Sequence, residues 1–357
     1  MSSPQADFKK FTLKFKKPMG TSRGILFARD IFILALRYKE KIGIGECAPL
    51  KELSIDDRPG FEDKLQEVCK LFNQDAIRST LDLTDWPAIR FGLEAAKMDL
   101  QNGGRRLLFD NDFTKGTETI ATNGLIVMAD KEEMFTQILN KIKLGFNCIK
   151  IKIGALDFAT ECELLSEIRR KFPPEQIEFR LDANGAFEAD SALDKLQRLT
   201  EFQIHSIEQP IKAGQWQTMA NLCASSPIAI ALDEELIGVL EPIAKEELLS
   251  TIKPQYIILK PTLLGGLKAS MEWIDSARKL NIGFWVTSAL ESNIGLNVIS
   301  QWVSTLNLSI PQGLGTGQLF TANFRSPLKI IDGQLTYAAV NGWDNLANLA
   351  DLKLTAE

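Results

Sequence analysis

Polar residues recur through the second half of the chain at an almost constant spacing, and each closes a short apolar run. From Lys152, the steps to Asp182, Glu208, Asp233 and Lys260 are 30, 26, 25 and 27 residues. A strand followed by a helix has this length, so the repeat is typical of parallel strands joined by helical crossovers. In a closed (β/α)8 barrel, equivalent positions of successive units meet at one mouth. The spacing therefore predicts that these five side chains lie together.

Eight apolar runs fit this repeat, and we expect them to form the strands of an α/β domain spanning residues 121–325. Periodicity alone does not distinguish a closed barrel from an open doubly wound sheet. The even placement of the polar residues favours a modified TIM-type (β/α) barrel. The predicted strands are residues 123–128, 148–153, 177–181, 204–207, 228–232, 256–259, 284–288 and a weak run at 312–315.

The first 120 residues follow a different pattern. Alternating apolar and polar residues over 8–49 predict a three-stranded antiparallel sheet, and apolar residues at helical spacing over 61–102 predict helices. Residues 328–337 have the pattern of a hairpin that returns to this region. We therefore expect an α+β capping domain of residues 1–120, completed by 326–357, on the barrel domain.

The first polar strand carries two lysines, in Cys148-Ile149-Lys150-Ile151-Lys152-Ile153. Side chains two apart in a strand point to the same face, so Lys150 and Lys152 project together. Two ammonium groups are costly to bury side by side unless carboxylates or a metal site lie nearby. The carboxylates at the ends of the following strands meet this requirement.

Composition excludes several classes of protein. With 45% hydrophobic and 24% charged residues and a formal net charge of −5, the chain has no basic excess for binding nucleic acid. The first residues lack a secretory signal pattern, and no apolar run approaches the roughly 18 residues of a membrane span. Five cysteines without a Cys-x-x-Cys pair indicate neither a disulfide framework nor a zinc site. We expect a cytoplasmic protein with no nucleic-acid or membrane partner.

Asp182, Glu208 and Asp233 form a hard oxygen donor set, which suits magnesium better than zinc. The lysines are the candidate proton carriers, because a nearby cation and neighbouring ammonium groups lower the pKa of a lysine towards that of a general base. His205, the single histidine, lies in a strand pattern, and we expect it to be a core residue. This set favours removal of a proton α to a carboxylate, with a cation stabilising the enediolate.

Seven motifs extend the pattern over nearly the whole chain: Gly45-Glu46-Cys47-Ala48-Pro49-Leu50, Lys150-x-Lys152, Asp182-Ala183-Asn184-Gly185, Glu208-Gln209-Pro210, Asp233-Glu234, Lys260-Pro261-Thr262-Leu263-Leu264-Gly265-Gly266 and Ser288-Ala289-Leu290-Glu291-Ser292. With these motifs the chain resembles the enolase superfamily and its muconate-lactonizing subgroup. The last two motifs are similar to those of the o-succinylbenzoate synthase family in that subgroup.

The resemblance implies a role for each strand-end residue. Lys152 would be the base, Lys150 would favour the enediolate electrostatically, and Lys260 would lie over the opposite face of the intermediate. The implied ligands of Mg²⁺, with Mn²⁺ as a substitute, are Asp182, Glu208 and Asp233. The implied reaction is dehydration of a small carboxylate, 2-succinyl-6-hydroxy-2,4-cyclohexadiene-1-carboxylate, to o-succinylbenzoate in menaquinone biosynthesis. The oligomeric state stays open.

Substrate contacts are expected from two regions. The glycine-flanked stretch 17–24 would close over the substrate, with Ser22 or Arg23 near the succinyl carboxylate. A plain hairpin connection explains that stretch equally well. Within the motifs of the barrel, the predicted substrate-binding residues are Asn184, Ser288 and Glu291.

Several alternatives compete with this interpretation. Dipeptide epimerases of the subgroup share the lysines and metal ligands, but carry an Asp-x-Asp motif where this chain reads Gly313-Leu314-Gly315-Thr316, without an acid. Racemisation of N-acylamino acids stays open, because an acylated substrate lacks the ammonium group that such a motif binds. A Schiff-base aldolase barrel does not require three strand-end carboxylates. A non-catalytic scaffold would have lost a ligand or a lysine, and none is lost.

Overall fold

An antiparallel sheet with flanking helices forms the N-terminal part of the computed structural model, which describes residues 4–21, 24–74, 81–338, 342–343, 349 and 352–356. The strands pair in the order β1-β2-β3, which confirms the predicted three-stranded sheet. The elements of this part are β1 (Gln5–Thr21), β2 (Gly24–Tyr38), β3 (Lys41–Cys47), α1 (Phe61–Asn73) and α2 (Pro87–Gln101).

Strand β2 packs on both of its faces. Leu34 and Leu36 join the apolar cluster that contains α1 and α2, whereas Ile31 and Ile33 join a cluster that includes Leu290 of the barrel. Residues two apart share a face of a strand, so the alternation assigns one face to each cluster. The sheet is therefore buried between its own helices and the barrel.

Two glycines allow helix α2 to lie directly against β3. A Cβ at Gly43 would lie 2.0 Å from the carbonyl oxygen of Ala96, and a Cβ at Gly45 would lie 1.9 Å from that of Gly92. Such distances are far below van der Waals contact, so any side chain at either position would force the helix away from the sheet.

A parallel sheet follows the short strand β4 (Ile120–Ala121). Within the described residues it contains seven strands, and each pairs with its neighbours in the chain, which confirms the predicted alternation of strands and helices. Its strands are β5 (Gly124–Ile126), β6 (Cys148–Lys152), β7 (Glu178–Asp182), β8 (Ser206–Glu208), β9 (Ala229–Leu232), β10 (Tyr256–Leu259) and β11 (Gly283–Val286).

Helices connect these strands and bury their apolar faces on the outside of the sheet. They are α3 (Lys131–Lys143), α4 (Phe158–Lys171), α5 (Ala189–Leu199), α6 (Trp216–Ser225), α7 (Pro242–Ile252), α8 (Pro261–Leu264), α9 (Leu267–Lys279) and α10 (Asn293–Val303). Asp130 and Asp157 cap α3 and α4 by accepting backbone N–H groups of the first turn.

The weak run predicted at 312–315 closes the sheet with isolated bridges instead of a full strand. Gln312 bridges Thr122 beside β5, and Gly313 bridges Thr287 beside β11, both in parallel. The N–H of Asn123 donates to the carbonyl of Gln312 over 2.9 Å, and the N–H of Gly313 donates to that of Val286 over 2.8 Å. The segment thus joins the two edges of the sheet and makes it a modified barrel.

The predicted C-terminal hairpin forms, but it pairs at the domain boundary. Strands β13 (Leu328–Ile331) and β14 (Gln334–Tyr337) are antiparallel, and β14 also pairs with β4. Leu335 belongs to the core of the barrel. Farther along, β15 (Thr355–Ala356) pairs with β12 (Ala322–Asn323), and Lys9 of β1 donates to the carbonyl of Leu352. The tail therefore contacts both the barrel and the cap.

No helix in the described part of the chain is long and apolar enough to cross a membrane. All five cysteines are buried free thiols, as their isolated positions in the sequence predicted. Burial raises the pKa of Cys69 and of Cys223 to about 12. These thiols therefore behave as small apolar side chains.

Candidate active site

The carboxyl ends of the parallel strands bring the recurring polar residues to one mouth of the barrel. Lys152 pairs in register with Asp182, and Asp182 pairs with Glu208. Asp233 directly follows β9, and Lys260 directly follows β10. Because the strands all run in the same direction, the five residues end at the same edge of the sheet.

The two lysines of β6 reach one carboxylate. Lys150 Nζ lies 3.0 Å from Asp182 Oδ2, and Lys152 Nζ lies 2.9 Å from the same oxygen. Lys150 also pairs with Glu208. The two ammonium groups are therefore within about 6 Å of each other and share the Asp182 carboxylate.

Lys260 stands on the other side of the mouth, where it pairs with Asp233. Strand β10 is four places from β6 in the order of the sheet. In a ring of eight positions this is half-way round, so Lys260 and Lys152 face each other across the opening.

Burial and charge act against each other in this cluster. Burial raises the pKa of Asp182, but the charges of Lys150 and Lys152 outweigh it and hold the pKa below its usual value. Burial lowers the pKa of Lys150 and of Lys260, yet the neighbouring carboxylates outweigh it and raise both. Burial and the charge of Asp182 raise the pKa of Glu208. Glu208 is thus the carboxylate whose charge is least well compensated.

Asp182, Glu208 and Asp233 offer the oxygen donors that a hard divalent cation prefers. Both carboxylate oxygens of Glu208 are buried and accept no hydrogen bond within the described residues, with the ammonium group of Lys150 as their charged neighbour. As the side chains stand, the described residues hold no group of three Asp, Glu, His or Cys side chains close enough to bind an ion. The donor set fits a cation, which would compete with the Lys150 ammonium group for the same oxygens.

Asn184 holds the side chain of Lys152. Lys152 Nζ donates to Asn184 Oδ1, and Asn184 Nδ2 donates to Glu234 Oε1 over 3.0 Å. Asn184 has a left-handed backbone, with φ 44°, a conformation that asparagine adopts more readily than most residues. A chain of hydrogen bonds therefore fixes the position of the Lys152 ammonium group.

Sequence reasoning missed Gln209, which links two loops of the mouth. It follows Glu208 and is also left-handed, with φ 40°. Its Nε2 donates to Glu235 Oε2 over 3.0 Å, and its Oε1 accepts the N–H groups of Asp233 and Glu235 at 3.3 Å. Gln209 thus holds the loop that carries Asp233. The only signal in the sequence was its place in the Glu-Gln-Pro motif.

A cavity opens over these groups, and both parts of the molecule line it. Lys150, Lys152, Asp182 and Lys260 form its floor. The cap contributes two residues of the predicted stretch 17–24 and two residues that follow β3, and the barrel adds an apolar and hydroxyl-bearing wall. These further lining residues are Met19, Gly20, Leu50 and Leu53 from the cap, and Asn123, Leu125, Asn184, Glu234, Thr287, Ser288, Ala289, Leu290, Gly313, Gly315 and Thr316 from the barrel.

Two of the predicted substrate-binding residues in the barrel line the cavity, and the third lies beside it. Asn184 and Ser288 line the cavity, and the hydroxyl groups of Ser288 and Thr316 are hydrogen-bonded to each other. Glu291 is fully buried beside the cavity, where its carboxylate accepts the N–H of Ala289 over 2.7 Å. Its position indicates that it supports the wall of the cavity without facing the substrate.

The stretch 17–24 belongs to a long hairpin between β1 and β2. Its strands stay paired as far as Thr21 and Gly24, with a register shift between Lys14 and Met19. Ser22 and Arg23 lie outside the described residues. Met19 and Gly20 line the cavity, and a substrate role for Ser22 and Arg23 stays a prediction.

His205 lies at the other end of the barrel, just before β8. Its ring packs against Tyr256 and Trp285, with centroid distances of 5.2 and 6.5 Å. Its Nδ1 is 2.9 Å from the hydroxyl oxygen of Ser206. Burial lowers its pKa. The residue is a half-buried packing residue away from the mouth.

Comparison with known proteins decides among the families that share such a mouth. Residues 133–343 match the family described as enolase C-terminal domain-like, and residues 5–100 match the MenC N-terminal domain. The o-succinylbenzoate synthase of Desulfotalea psychrophila is 44% identical, over 94% of this chain and 99% of its own length. The chain belongs to the o-succinylbenzoate synthase family. The resemblance predicted from the motifs is confirmed.

Solved structures agree with membership of the o-succinylbenzoate synthase family. The crystal structure of MenC from Desulfotalea psychrophila has a TM-score of 0.83 at 40% identity, and the match covers 94% of this chain and 100% of that one. The L-Ala-D/L-Glu epimerase from Bacillus subtilis has a TM-score of 0.79 at 20% identity over 94% and 96%, which shows the fold alone. Epimerases are thus more distant relatives. Enolase superfamily members use a divalent metal ion.

Proposed function

We propose that this protein is a lyase that dehydrates 2-succinyl-6-hydroxy-2,4-cyclohexadiene-1-carboxylate to o-succinylbenzoate, a step of menaquinone biosynthesis. The observation that carries the proposal is the pair of lysines facing each other across a mouth lined by three carboxylates. The identity of 44% with an o-succinylbenzoate synthase over nearly the full length of both chains supports the choice of reaction.

Lys152 is the residue best placed to take the α-proton. Asn184 and Asp182 accept hydrogen bonds from its ammonium group and hold it at the mouth of the barrel, within reach of a bound substrate. After proton abstraction, the same lysine is available to protonate the leaving hydroxyl group. One acid–base residue therefore suffices for the dehydration.

Lys150 and Lys260 act through their charge. The pKa of each is raised by the surrounding carboxylates, which outweigh the effect of burial, so both stay protonated near neutral pH. Negative charge that develops on the substrate carboxylate then meets fixed positive charge on both sides.

Asp182, Glu208 and Asp233 would hold the divalent cation, with Mg²⁺ as the preferred ion and Mn²⁺ as a substitute. When bound, it would stabilise the second negative charge of the enediolate, which the substrate itself lacks. The apolar wall of Met19, Leu50, Leu53, Leu125 and Leu290 suits the ring of the substrate. Asn184 and Ser288 offer polar contacts, and the contact to the succinyl carboxylate is assigned to Ser22 or Arg23 from the sequence alone.

The wall formed by residues 313–316 disfavours dipeptide epimerisation. Gly313, Gly315 and Thr316 line the cavity there without an acidic side chain. The nearby Glu234 already accepts a hydrogen bond from Asn184. The ammonium group of a dipeptide would therefore lose its water without gaining a carboxylate partner on that side.

Racemisation of N-acylamino acids is a second candidate activity, because Lys152 and Lys260 face each other and could exchange protons at opposite faces of one carbon. The purified protein should be assayed with the cyclohexadiene substrate, a panel of dipeptides and N-succinylamino acids, with Mg²⁺ present. We expect dehydration to have the largest kcat/KM. Efficient epimerisation of dipeptides with no dehydration would overturn the proposal.

A further inference from the structure

The segment that follows β11 forms one wall of the cavity, and its backbone conformation is an unfavourable one. Ser288, Ala289 and Leu290 line the cavity, and Leu290 is left-handed, with φ 65°. A branched aliphatic residue seldom adopts this conformation, because its Cβ is crowded by the backbone. Contacts outside the wall must therefore hold it in place.

Glu291 supplies the first support. Its Oε2 accepts the N–H of Ala289 over 2.7 Å, and its Oε1 accepts the hydroxyl of Thr262, which lies two residues after Lys260. The side chain is fully buried. It therefore ties the wall to the segment that follows β10.

Glu46 of β3 supplies the second support from the capping domain. Its Oε1 accepts the N–H of Ser292 over 2.9 Å, and its Oε2 accepts the N–H of Gly295 over 2.8 Å. The hydroxyl of Ser292 also donates to this carboxylate. A negative charge at the start of α10 is favourable, because the first turn presents unpaired N–H groups and the positive end of the helix dipole.

Glu46 and Glu291 both pack tightly against Gly295 in the first turn of α10. A Cβ at Gly295 would lie 3.0 Å from Glu46 Oε2 and 2.8 Å from the Cβ of Glu291. Arg29 of β2 is buried nearby, and its charge acts on both carboxylates. Arg29 thus offsets the repulsion between two buried acids that approach the same turn from opposite sides.

We propose that Glu46 is a positioning residue: from the capping domain it fixes the start of α10 and thereby holds the substrate-facing wall 288–290 in its working conformation. The identity of the substrate that contacts this wall rests on the proposed function. The link between Glu46 and the wall does not depend on it. The packing of the cap on the barrel and the order of the wall are thereby coupled, because the same carboxylate takes part in both.

The chain offers a matched control in Glu94 of α2. Glu94 is a half-buried carboxylate of the cap that also caps a barrel helix, since it accepts the N–H groups of Leu267 over 2.7 Å and Lys268 over 3.2 Å at the start of α9. The residues that Glu94 contacts do not line the cavity. Glu46→Gln and Glu94→Gln therefore make the same chemical change at two helix starts, with only one of them beside the wall.

Hydrogen exchange of the full-length protein tests the link without any substrate. In Glu46→Gln, we expect the amides of residues 289–295 to exchange roughly tenfold faster, because one charge-assisted acceptor is lost. In Glu94→Gln, faster exchange should be confined to the start of α9. If Glu46→Gln does not fold, Ser292→Ala removes one of its contacts and should show the same pattern in milder form. Equal protection of 289–295 in all the variants would overturn the proposal.

The steady-state parameters KM and kcat provide a second test, because a purely structural role of Glu46 would not change KM selectively. With the cyclohexadiene substrate, Glu46→Gln should raise KM roughly tenfold with a smaller change in kcat, whereas Glu94→Gln should lower the Tm and leave kcat/KM within about twofold. Equal kinetic effects of the two variants would contradict a positioning role. If the wild-type protein does not dehydrate the substrate, the proposed function fails, and the exchange experiment still decides on the link.

Discussion

Replacing Lys150 by methionine should destabilise the protein far more than the same change at Lys152. Lys150 lies 3.0 Å from Asp182 and also pairs with Glu208, whose oxygens accept no hydrogen bond within the described residues. Lys150→Met therefore leaves Glu208 as a buried carboxylate without its ion-pair partner. Removing one partner of a buried pair costs about 3–5 kcal/mol.

Lys152→Met is the matched control, because it removes an ammonium group of the same strand and leaves both carboxylates partnered. Asp182 keeps Lys150 at 3.0 Å, and methionine has nearly the volume of the lost side chain. The free energy of unfolding should then fall by about 1 kcal/mol, the net value of an ordinary buried hydrogen bond. The two variants should differ by about 2–4 kcal/mol.

The difference should depend on pH in a definite direction. Burial and the charge of Asp182 already raise the pKa of Glu208, and the loss of Lys150 raises it further. A carboxyl group with a raised folded-state pKa holds its proton when the unfolded chain has lost it, so stability falls as pH rises above about 4.3. The deficit of Lys150→Met should be larger near pH 8 than near pH 5.5.

Urea unfolding in excess chelator, at both pH values, measures these differences as free energies of unfolding. Excess Mg²⁺ should then reduce the deficit of Lys150→Met, since a cation would take over the charge compensation of Glu208. Equal stability of the two variants in chelator at the higher pH would refute the assignment of Lys150 as the main partner of Glu208.

Two further predictions concern activity. Excess chelator should abolish turnover, and so should removal of any one implied metal ligand while the fold persists, as judged by circular dichroism; the variants are Asp182→Asn, Glu208→Gln and Asp233→Asn. Full activity after removal of metal would contradict this expectation. Arg23→Ala should raise KM for the succinyl-bearing substrate, because one cation near its carboxylate is lost. Unchanged kinetics would leave residues 17–24 as a plain hairpin connection.

The barrel and its polar mouth could be predicted from the sequence because their signal is periodic. A β/α unit returns the chain to the same edge of the sheet, so Lys152, Asp182, Glu208, Asp233 and Lys260 had to meet if the units formed one barrel. Alternation within β6 likewise placed Lys150 beside Lys152. In both cases the spacing of residues along the chain determines which side chains share a face or an edge of the sheet.

Contacts between distant segments leave no such signal. Glu46 and Ser292 are 246 residues apart, and nothing in the sequence indicates that Leu53 lines the cavity. The direction of the Glu291 side chain leaves no such signal either, since its motif shows that it is near the site but not which way its side chain points. The eighth position of the barrel was weak in the sequence because Gln312 and Gly313 form only isolated bridges.

The central claim is that Lys152 is the base of the dehydration and that Lys260 contributes charge. The most direct test measures the rate of dehydration for Lys152→Ala, Lys260→Ala and Lys260→Arg under single-turnover conditions. We predict a loss of about three to four powers of ten in Lys152→Ala. We also predict more activity in Lys260→Arg than in Lys260→Ala, because arginine keeps the charge without acting as a base. Dehydration that survives in Lys152→Ala but not in Lys260→Ala would reverse the assignment and make Lys260 the base.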